Sequence, residues 1–258
     1  MVEQQFKYAI VTPGTHAYHD YLALRHKVFC EELKRVPRTG QLLSDVPLES
    51  DAYDAHSIHV LCRSLETGHA VGCSRLILPS AKGLSITGRY PMARQTAVLE
   101  RNIGEIGRLA IASELRRHRG ELSSAGLHQS PLPRPHPASK LDKQHGPIVA
   151  LGLYRELFKL AHRHGISHCY AAMEPSLARL LTRIGFPFQI AGPLNTAVQP
   201  PRQPYFISAH AIRTSLGNRD SSLFRFMLND SGEHDAPTEA APLHPLQSQP
   251  VAHTPASP

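Results

Sequence analysis

Three short clusters set ionisable residues among apolar ones. The first is Arg25-His-Lys-Val-Phe29, where Leu22, Arg25 and Phe29 recur on one face at helical spacing. A guanidinium on such a face either snorkels along its own stem to water or binds a carboxylate or phosphate, because a buried charge needs a partner. The second is the acidic run Glu49-Ser-Asp51-Ala-Tyr-Asp54, which leads into a strand-like segment. The third has two halves, Gly72-Cys-Ser-Arg75-Leu and Glu105-Ile-Gly-Arg108-Leu, each with ionisable residues inside an apolar strand pattern. Charge binding is what these residue types offer, and Asp51, Asp54, Arg75, Glu105 and Arg108 can compensate one another in one network. A structural ion-pair network and a functional site read alike at this level.

Other signals are weaker. His56 and His59 form an HxxH on a strand pattern with no third ligand nearby, so no metal site is expected. His162, His164 and His168 gather near a helix C-terminus, where the dipole favours cations anyway. Cys30, Cys62, Cys73 and Cys169 form no CxxC pair, which fits reduced thiols rather than a disulfide framework. There is no GxSxG, Walker loop or Rossmann fingerprint.

The elements that must hold these clusters follow from periodicity. Strand patterns cover residues 6–11, 57–63, 70–78, 105–112, 166–173 and 205–212, and Glu66-Thr67-Gly68 marks a hairpin between the second and third. Helical patterns cover residues 15–33, 148–164 and 175–184, with Gly165 and Gly185 as stops. Strands dominate the first half, and strands alternate with helices in the second. That order predicts an α/β (α+β) fold, a sheet with helices on both faces. Residues 114–146 are basic, rich in Pro, Ser and His, and without apolar period, so they read as a flexible insertion. The chain from 229 onward reads as a disordered tail, leaving residues 1–228 as the domain.

The 258 residues suffice for a buried core; 41% are hydrophobic and 19% charged, values of a globular protein. The start MVEQQFKYAIV lacks the basic region and apolar run of a signal peptide, and no stretch is long enough to span a bilayer, so a cytoplasmic protein is expected. A formal net charge of +7 predicts an acidic partner: nucleic acid, anionic lipid or an acidic carrier protein. Nucleic acid is disfavoured, since the basic segment has no aromatic residues to stack on bases and no recognition motif appears.

In order and spacing the three clusters resemble acyl-homoserine-lactone synthases, which show an Arg-x-x-x-Phe helix, a D-x-x-D loop, a G-C-x-R-L strand and an E-x-x-R strand. Here these are Arg25/Phe29, Asp51/Asp54, Gly72–Leu76 as GCSRL, and Glu105/Arg108. The second half, with MEPSLARLLTRIGFPFQIAGP and RQPYF, is more similar to acyltransferases associated with the PEP-CTERM/exosortase system and to N-acyl amino acid synthases. The resemblance implies a GNAT-like fold: a twisted, mostly antiparallel sheet splayed so that an acyl-pantetheine arm enters between two central strands. It implies an N-acyltransferase with no permanently bound cofactor, taking acyl-phosphopantetheine on an acyl carrier protein, or acyl-CoA, as donor and an amine as acceptor. Glu105 would remove the amine proton and Arg108 would brace it, while Arg25, Phe29, Asp51, Asp54 and Arg75 would bind the acceptor. Glu105 and Arg108 face opposite sides of an ideal strand, so both can line one site only if the strand bulges.

Two departures qualify the likeness. No Trp is present and Gly104 precedes Glu105, which puts S-adenosylmethionine as acceptor in doubt. The coenzyme-A loop [RQ]-x-x-G-x-[GA] is matched only in part by Arg117-His-Arg119-Gly120-Glu121-Leu122, which favours a carrier protein, docked by Arg134, Lys140 and Lys143 of the insertion. An acetyl-CoA-dependent GNAT acetyltransferase is the enzyme alternative.

Overall fold

The computed structural model describes residues 5–36, 42–43, 46–92, 98–116, 142–219 and 221–228. Arg134, Lys140, the partial coenzyme-A loop and the tail expected from 229 lie outside these residues. The first strand, β1 (Phe6–Val11), leads to Thr15, whose hydroxyl accepts the Tyr18 N–H and caps α1 (His16–His26). A wider π-type turn over Lys27–Glu32 continues α1 and keeps Val28, Phe29 and Cys30 buried. A short ladder of β2 (Leu42–Leu43) and β3 (Val46–Pro47) follows. Then come the hairpin of β4 (Ser57–Ser64) and β5 (Ala70–Ile77), turning through Gly68 at positive φ, and β6 (Ile103–Ile111). The second half contributes α2 (Asp142–Arg163), β7 (His168–Met173), α3 (Pro175–Arg183), β8 (Gln189–Ile190), β9 (Gln203–Ser208), α4 (Ala209–Arg219) and α5 (Ser221–Leu228).

Seven strands form one open sheet in the order β1-β4-β5-β6-β7-β9-β8. Every neighbouring pair is antiparallel except β6 with β7. Alternation of side chains sends Leu76 toward α2 and Cys73 toward α1, so the sheet carries a core on each face. On α2 the residues Val149, Leu153, Leu157 and Leu160 recur every three or four positions and are at most 3% exposed. Burying each contributes about 1.5–3 kcal/mol. On the opposite face α1 covers β4 and β5, and a smaller cluster of Ile86, Tyr90, Ile103, Tyr170, Ala191 and Phe206 covers the β6–β7–β9 region.

Two irregularities in the centre of the sheet prepare a site. From Cys73 to Arg75 β5 advances two residues, while its partner β6 runs from Ala110 to Gly107, three residues. The extra residue is a bulge around Arg108, whose φ of 50° is unusual for a side chain with a Cβ. The expected bulge is therefore present. Second, β6 and β7 pair only where Ile103, Gly104 and Glu105 face His168, Cys169 and Tyr170. Beyond that point β7 stays with β9 as far as the Met173–Gln203 pair, β6 stays with β5, and the sheet forks.

The structure corrects two boundaries. Helix α2 starts at Asp142 rather than 148, so Lys143 belongs to its first turn and not to a loop. Gly146-Pro147 looks like a break, yet the helix runs through it, although Pro147 lies past the first turn and so loses the bond to the Lys143 carbonyl and crowds it. Gly146 is there for close packing, since a Cβ would sit 2.3 Å from the Leu115 carbonyl oxygen. We therefore expect Gly146→Ala to destabilise by about 1–3 kcal/mol through overpacking, against the gain of roughly 1 kcal/mol that Ala brings to a helix. A melting temperature equal to or above wild type would show that the Leu115 turn yields freely. At the other boundary the strand expected over 205–212 ends at Ser208, whose hydroxyl accepts the Ala211 N–H and starts α4. No helix of the described residues is long and apolar enough to cross a membrane.

Candidate active site

Each cluster is delivered by a different element: Arg25 by α1, Glu49, Asp51 and Asp54 by the segment before β4, Arg75 by β5, and Arg108 by the bulge of β6. They meet as a closed ring in which cations and anions alternate. The Arg25 Nε donates to Glu49 at 2.5 Å and its Nη1 to Asp54 at 2.7 Å. The Arg75 Nη1 donates to Asp54 at 2.6 Å and to Asp51 at 2.7 Å, and its Nη2 to Asp51 at 2.8 Å. The Arg108 Nη2 closes the ring, donating to Asp51 at 2.8 Å and Glu49 at 3.0 Å. Three guanidiniums and three carboxylates sum to zero, which is how so much charge tolerates burial.

Exposure grades around the ring. Arg25 is 0% exposed, and Glu49 and Arg75 are 1% exposed, whereas the Arg108 and Asp51 side chains keep 14% and 18%. Burial would raise the carboxyl pKa values of Glu49, Asp51 and Asp54, but the paired guanidiniums outweigh it and hold all three below the usual range. Behind the ring His59 is packed against Tyr18 and Tyr21 and donates from Nε2 to the Asp54 carbonyl oxygen. Burial pushes it down to about 4, so it stays neutral and orients Asp54.

Glu105 is a carboxylate of another kind. It shares the face of Arg75 but among the described residues joins no ion pair; its Oε2 accepts the Ile86 backbone N–H at 2.8 Å. Burial raises its pKa, and the Ile86 N–H and the cations Arg75, Arg89 and Arg108 offset that only in part. A carboxylate held basic beside three held acidic is the separation of roles that acid–base catalysis uses. It stands on the last residue of β6 that pairs with β7, at the root of the fork.

The opposite face of the fork is apolar. A cavity there is lined by Ile106, Leu157, Phe158, Cys169, Phe186 and Ile207, among others, between α2 and the strands. At about 40 Å³ this void is small, and Ile106 in its wall lies on β6 just before the strand leaves its regular ladder at the bulge.

Several sequence expectations are revised. Arg25 does not snorkel: its guanidinium is enclosed by Glu49, Asp54 and the Tyr21 hydroxyl, so it has no exposed surface for an acceptor. Arg108 does not hydrogen-bond to Glu105; its bonds go to Glu49 and Asp51, and its guanidinium lies 5.7 Å from the Phe29 ring centroid. Glu105 leaves the predicted network and Glu49 takes its place. Glu49 stands in the acidic run, but its spacing from Asp51 carried no sign of that role. Ile86 and the cover it provides left no signal at all, since the donor is a backbone N–H.

Residues 24–124 match the family described as acetyltransferase (GNAT) domain. An acyl-homoserine-lactone synthase of Vibrio anguillarum is 25% identical over 177 residues, 68% of this chain and 76% of that protein. The acyl-homoserine-lactone synthase LasI aligns over 81% of this chain and 95% of its own, with a TM-score of 0.55 at 16% identity. BjaI, a CoA-dependent acyl-homoserine lactone synthase solved with SAM and isopentyl-CoA, aligns over 83% and 88% with a TM-score of 0.52 at 17% identity. The fold is the GNAT-like one.

Proposed function

The chain is an acyltransferase enzyme of GNAT-like fold related to acyl-homoserine-lactone synthases, and from that premise we propose that it moves a long-chain fatty acyl group from a carrier-protein thioester to the amine of an amino acid or similar acceptor. The observation that carries the reading is Glu105, a buried carboxylate of raised pKa at the root of the fork, in no ion pair among the described residues. It takes a proton from the acceptor ammonium, directly or through a water. The freed nitrogen attacks the thioester carbonyl, forming the C–N bond, and the oxyanion meets backbone donors at the bulge. Collapse breaks the C–S bond, and the thiolate leaves with the proton released by the amine. Asp51 and Arg108, the accessible members of the ring, face the acceptor with Phe29 beneath Arg108. Arg25, Arg75, Asp54 and Glu49 hold those two in place.

The lining beyond the fork is apolar, as an acyl chain requires, but its cavity of about 40 Å³ does not select chain length, and the preference for a long chain rests on the likeness of the sequence to N-acyl amino acid synthases. With no Trp in the chain and Gly104 before Glu105, an acceptor other than S-adenosylmethionine is favoured, as is the likeness of the second half to the PEP-CTERM/exosortase-associated enzymes. The donor is assigned to a carrier because Arg134, Lys140 and Lys143 supply cations for an acidic protein.

Purified protein with a mixture of amines and, separately, hexadecanoyl carrier protein, hexadecanoyl-CoA and acetyl-CoA tests the reading by mass spectrometry of N-acyl products. The expected order of kcat/KM is carrier, then long-chain CoA, then acetyl-CoA. Reversing Arg134, Lys140 and Lys143 to Glu should weaken the carrier-bound donor more than hexadecanoyl-CoA. Acetyl-CoA as the best donor would establish the acetyltransferase alternative.

A further inference from the structure

On the face of the fork that bears Glu105, the far strand presents a guanidinium that the reaction above does not use. Arg202 bridges to Asn195 just before β9 begins, at the open end of β7 where Gln203 pairs with Met173. Side chains alternate along the strand, so Arg202 shares the face of Phe206, which packs with Tyr170, Ile86 and Tyr90 in the cluster covering Glu105. Arg202 stands one strand beyond β7, with its Nη1 reaching the Ala172 carbonyl oxygen of β7 and the charge of Arg108 acting on it across the fork.

No carboxylate among the described residues pairs with it. Among the described residues its guanidinium makes one hydrogen bond, a long one of 3.4 Å from Nη1 to the Ala172 carbonyl oxygen. The charges acting on it are Arg35, Glu174 and Arg108, with the Tyr90 hydroxyl. The carboxylate acting on it among the described residues is already engaged, since Arg35 Nη2 donates to Glu174 at 3.0 Å. The Arg35 Nε is itself buried without a partner. Burial first, and then Arg35, pull the Arg202 pKa below the usual guanidinium value, the mark of a cation short of a counterion. The ring cannot supply one, because each of its three carboxylates is already shared between two arginines. Arg35, Arg202 and Glu174 leave one positive charge in excess at the mouth of the gap.

We propose that Arg202, steadied by Arg35 and Glu174, binds the carboxylate of the acceptor, so that the amine acylated is that of an amino acid rather than a neutral or cationic amine. The inference rests on the N-acyl-transfer reading and narrows its substrate class. A guanidinium offers a carboxylate two parallel N–H donors, and an acceptor anchored there has its amine free to approach Glu105. A phosphate of the donor has the same chemistry. The acceptor is the better occupant, because Arg202 shares the face of Glu105, where the amine gives up its proton, whereas a donor phosphate stands a whole pantetheine arm away from the thioester carbonyl.

The test compares leucine with leucinamide and tyrosine with tyrosinamide, using one long-chain thioester and the wild type, Arg202→Gln and Arg202→Lys. The readout is the carboxylate-to-carboxamide ratio of kcat/KM, which does not depend on how much of a variant is folded. Wild type should favour the carboxylate by roughly tenfold or more. Arg202→Gln should bring the ratio close to one, through a raised KM for the carboxylate, and Arg202→Lys should retain part of it. A wild type that does not discriminate, or a variant that loses both acceptors equally, overturns the assignment. So does a fall confined to hexadecanoyl-CoA against hexadecanoyl-N-acetylcysteamine, which lacks phosphate and would place Arg202 on the donor. Absence of N-acyl product from any amine sinks the parent reaction together with this inference, and is recognised as such because no acceptor ratio can then be formed.

Discussion

Glu105→Gln is expected to lower kcat by about 10²–10⁴-fold, the range of a lost general base, with the fold intact. Gln keeps the shape and an oxygen that can still accept the Ile86 N–H, so the one hydrogen bond that fixes the side chain survives. What disappears is the ability to take a proton. The pH dependence gives a second readout. Burial raises the Glu105 pKa above its ordinary 4.5, and only the ionised form is a base. In wild type kcat/KM should therefore fall as pH drops through that raised value, and the variant should lose this acidic limb. Stability should move the other way. A carboxyl whose folded pKa exceeds its unfolded one holds its proton more tightly when folded, so its contribution declines as pH rises between the two. At neutral pH Gln removes a desolvated charge, and the melting temperature should match or exceed wild type. Wild-type turnover in the variant would reduce Glu105 to a structural residue and remove the proposed mechanism.

Much of this was legible in the chain because the physics involved is local. Alternation located β1, β4 and β5 nearly to the residue, and the Glu66-Thr67-Gly68 turn tied two of them together. The expectation that Glu105 and Arg108 share a site only through a bulge also followed from strand geometry alone, and the bulge is there. What sequence could not rank was partnership across the sheet. Glu49, Asp51 and Asp54 are equally acidic in one dimension. Only the packing of α1 against β5 decides that Arg25 takes Glu49 and Asp54, leaving Glu105 to a backbone N–H. The start of α2 was missed for a related reason: Gly146 looks like a flexible break and is in fact a packing requirement set by Leu115, some thirty residues earlier. Arg202 stood in view in the RQPYF run, but its lack of a counterion is a property of the fold.

The ring supplies the second large effect. Arg25→Met should cost about 3–5 kcal/mol, the usual result of removing one partner from a buried ion network. That corresponds to a drop on the order of 10 °C in melting temperature for a domain of this size. The substitution conserves much of the volume, so the loss is electrostatic: Glu49 and Asp54 lose their shared cation and the buried ring carries a net negative charge. Arg25→Lys keeps the charge, but an ammonium cannot span the two carboxylates and the Tyr21 hydroxyl as a planar guanidinium does, so an intermediate loss is expected. A double variant, Arg25→Met with Glu49→Gln, restores neutrality and should lose less than the sum of the two single changes. Acid should act on the ring in the same sense. The paired guanidiniums hold Glu49, Asp51 and Asp54 below their unfolded values, so their stabilisation is complete above about pH 4–5 and fades as pH falls toward the depressed folded values. Arg25→Met, with part of that stabilisation already gone, should show a shallower acid dependence than wild type. Because Arg25 has no exposed surface, any rise in acceptor KM in Arg25→Lys must pass through Asp51 and Arg108 and should accompany the loss of stability. A large KM effect at unchanged melting temperature and unchanged acid dependence would mean that Arg25 meets the acceptor directly, and that the ring opens during turnover.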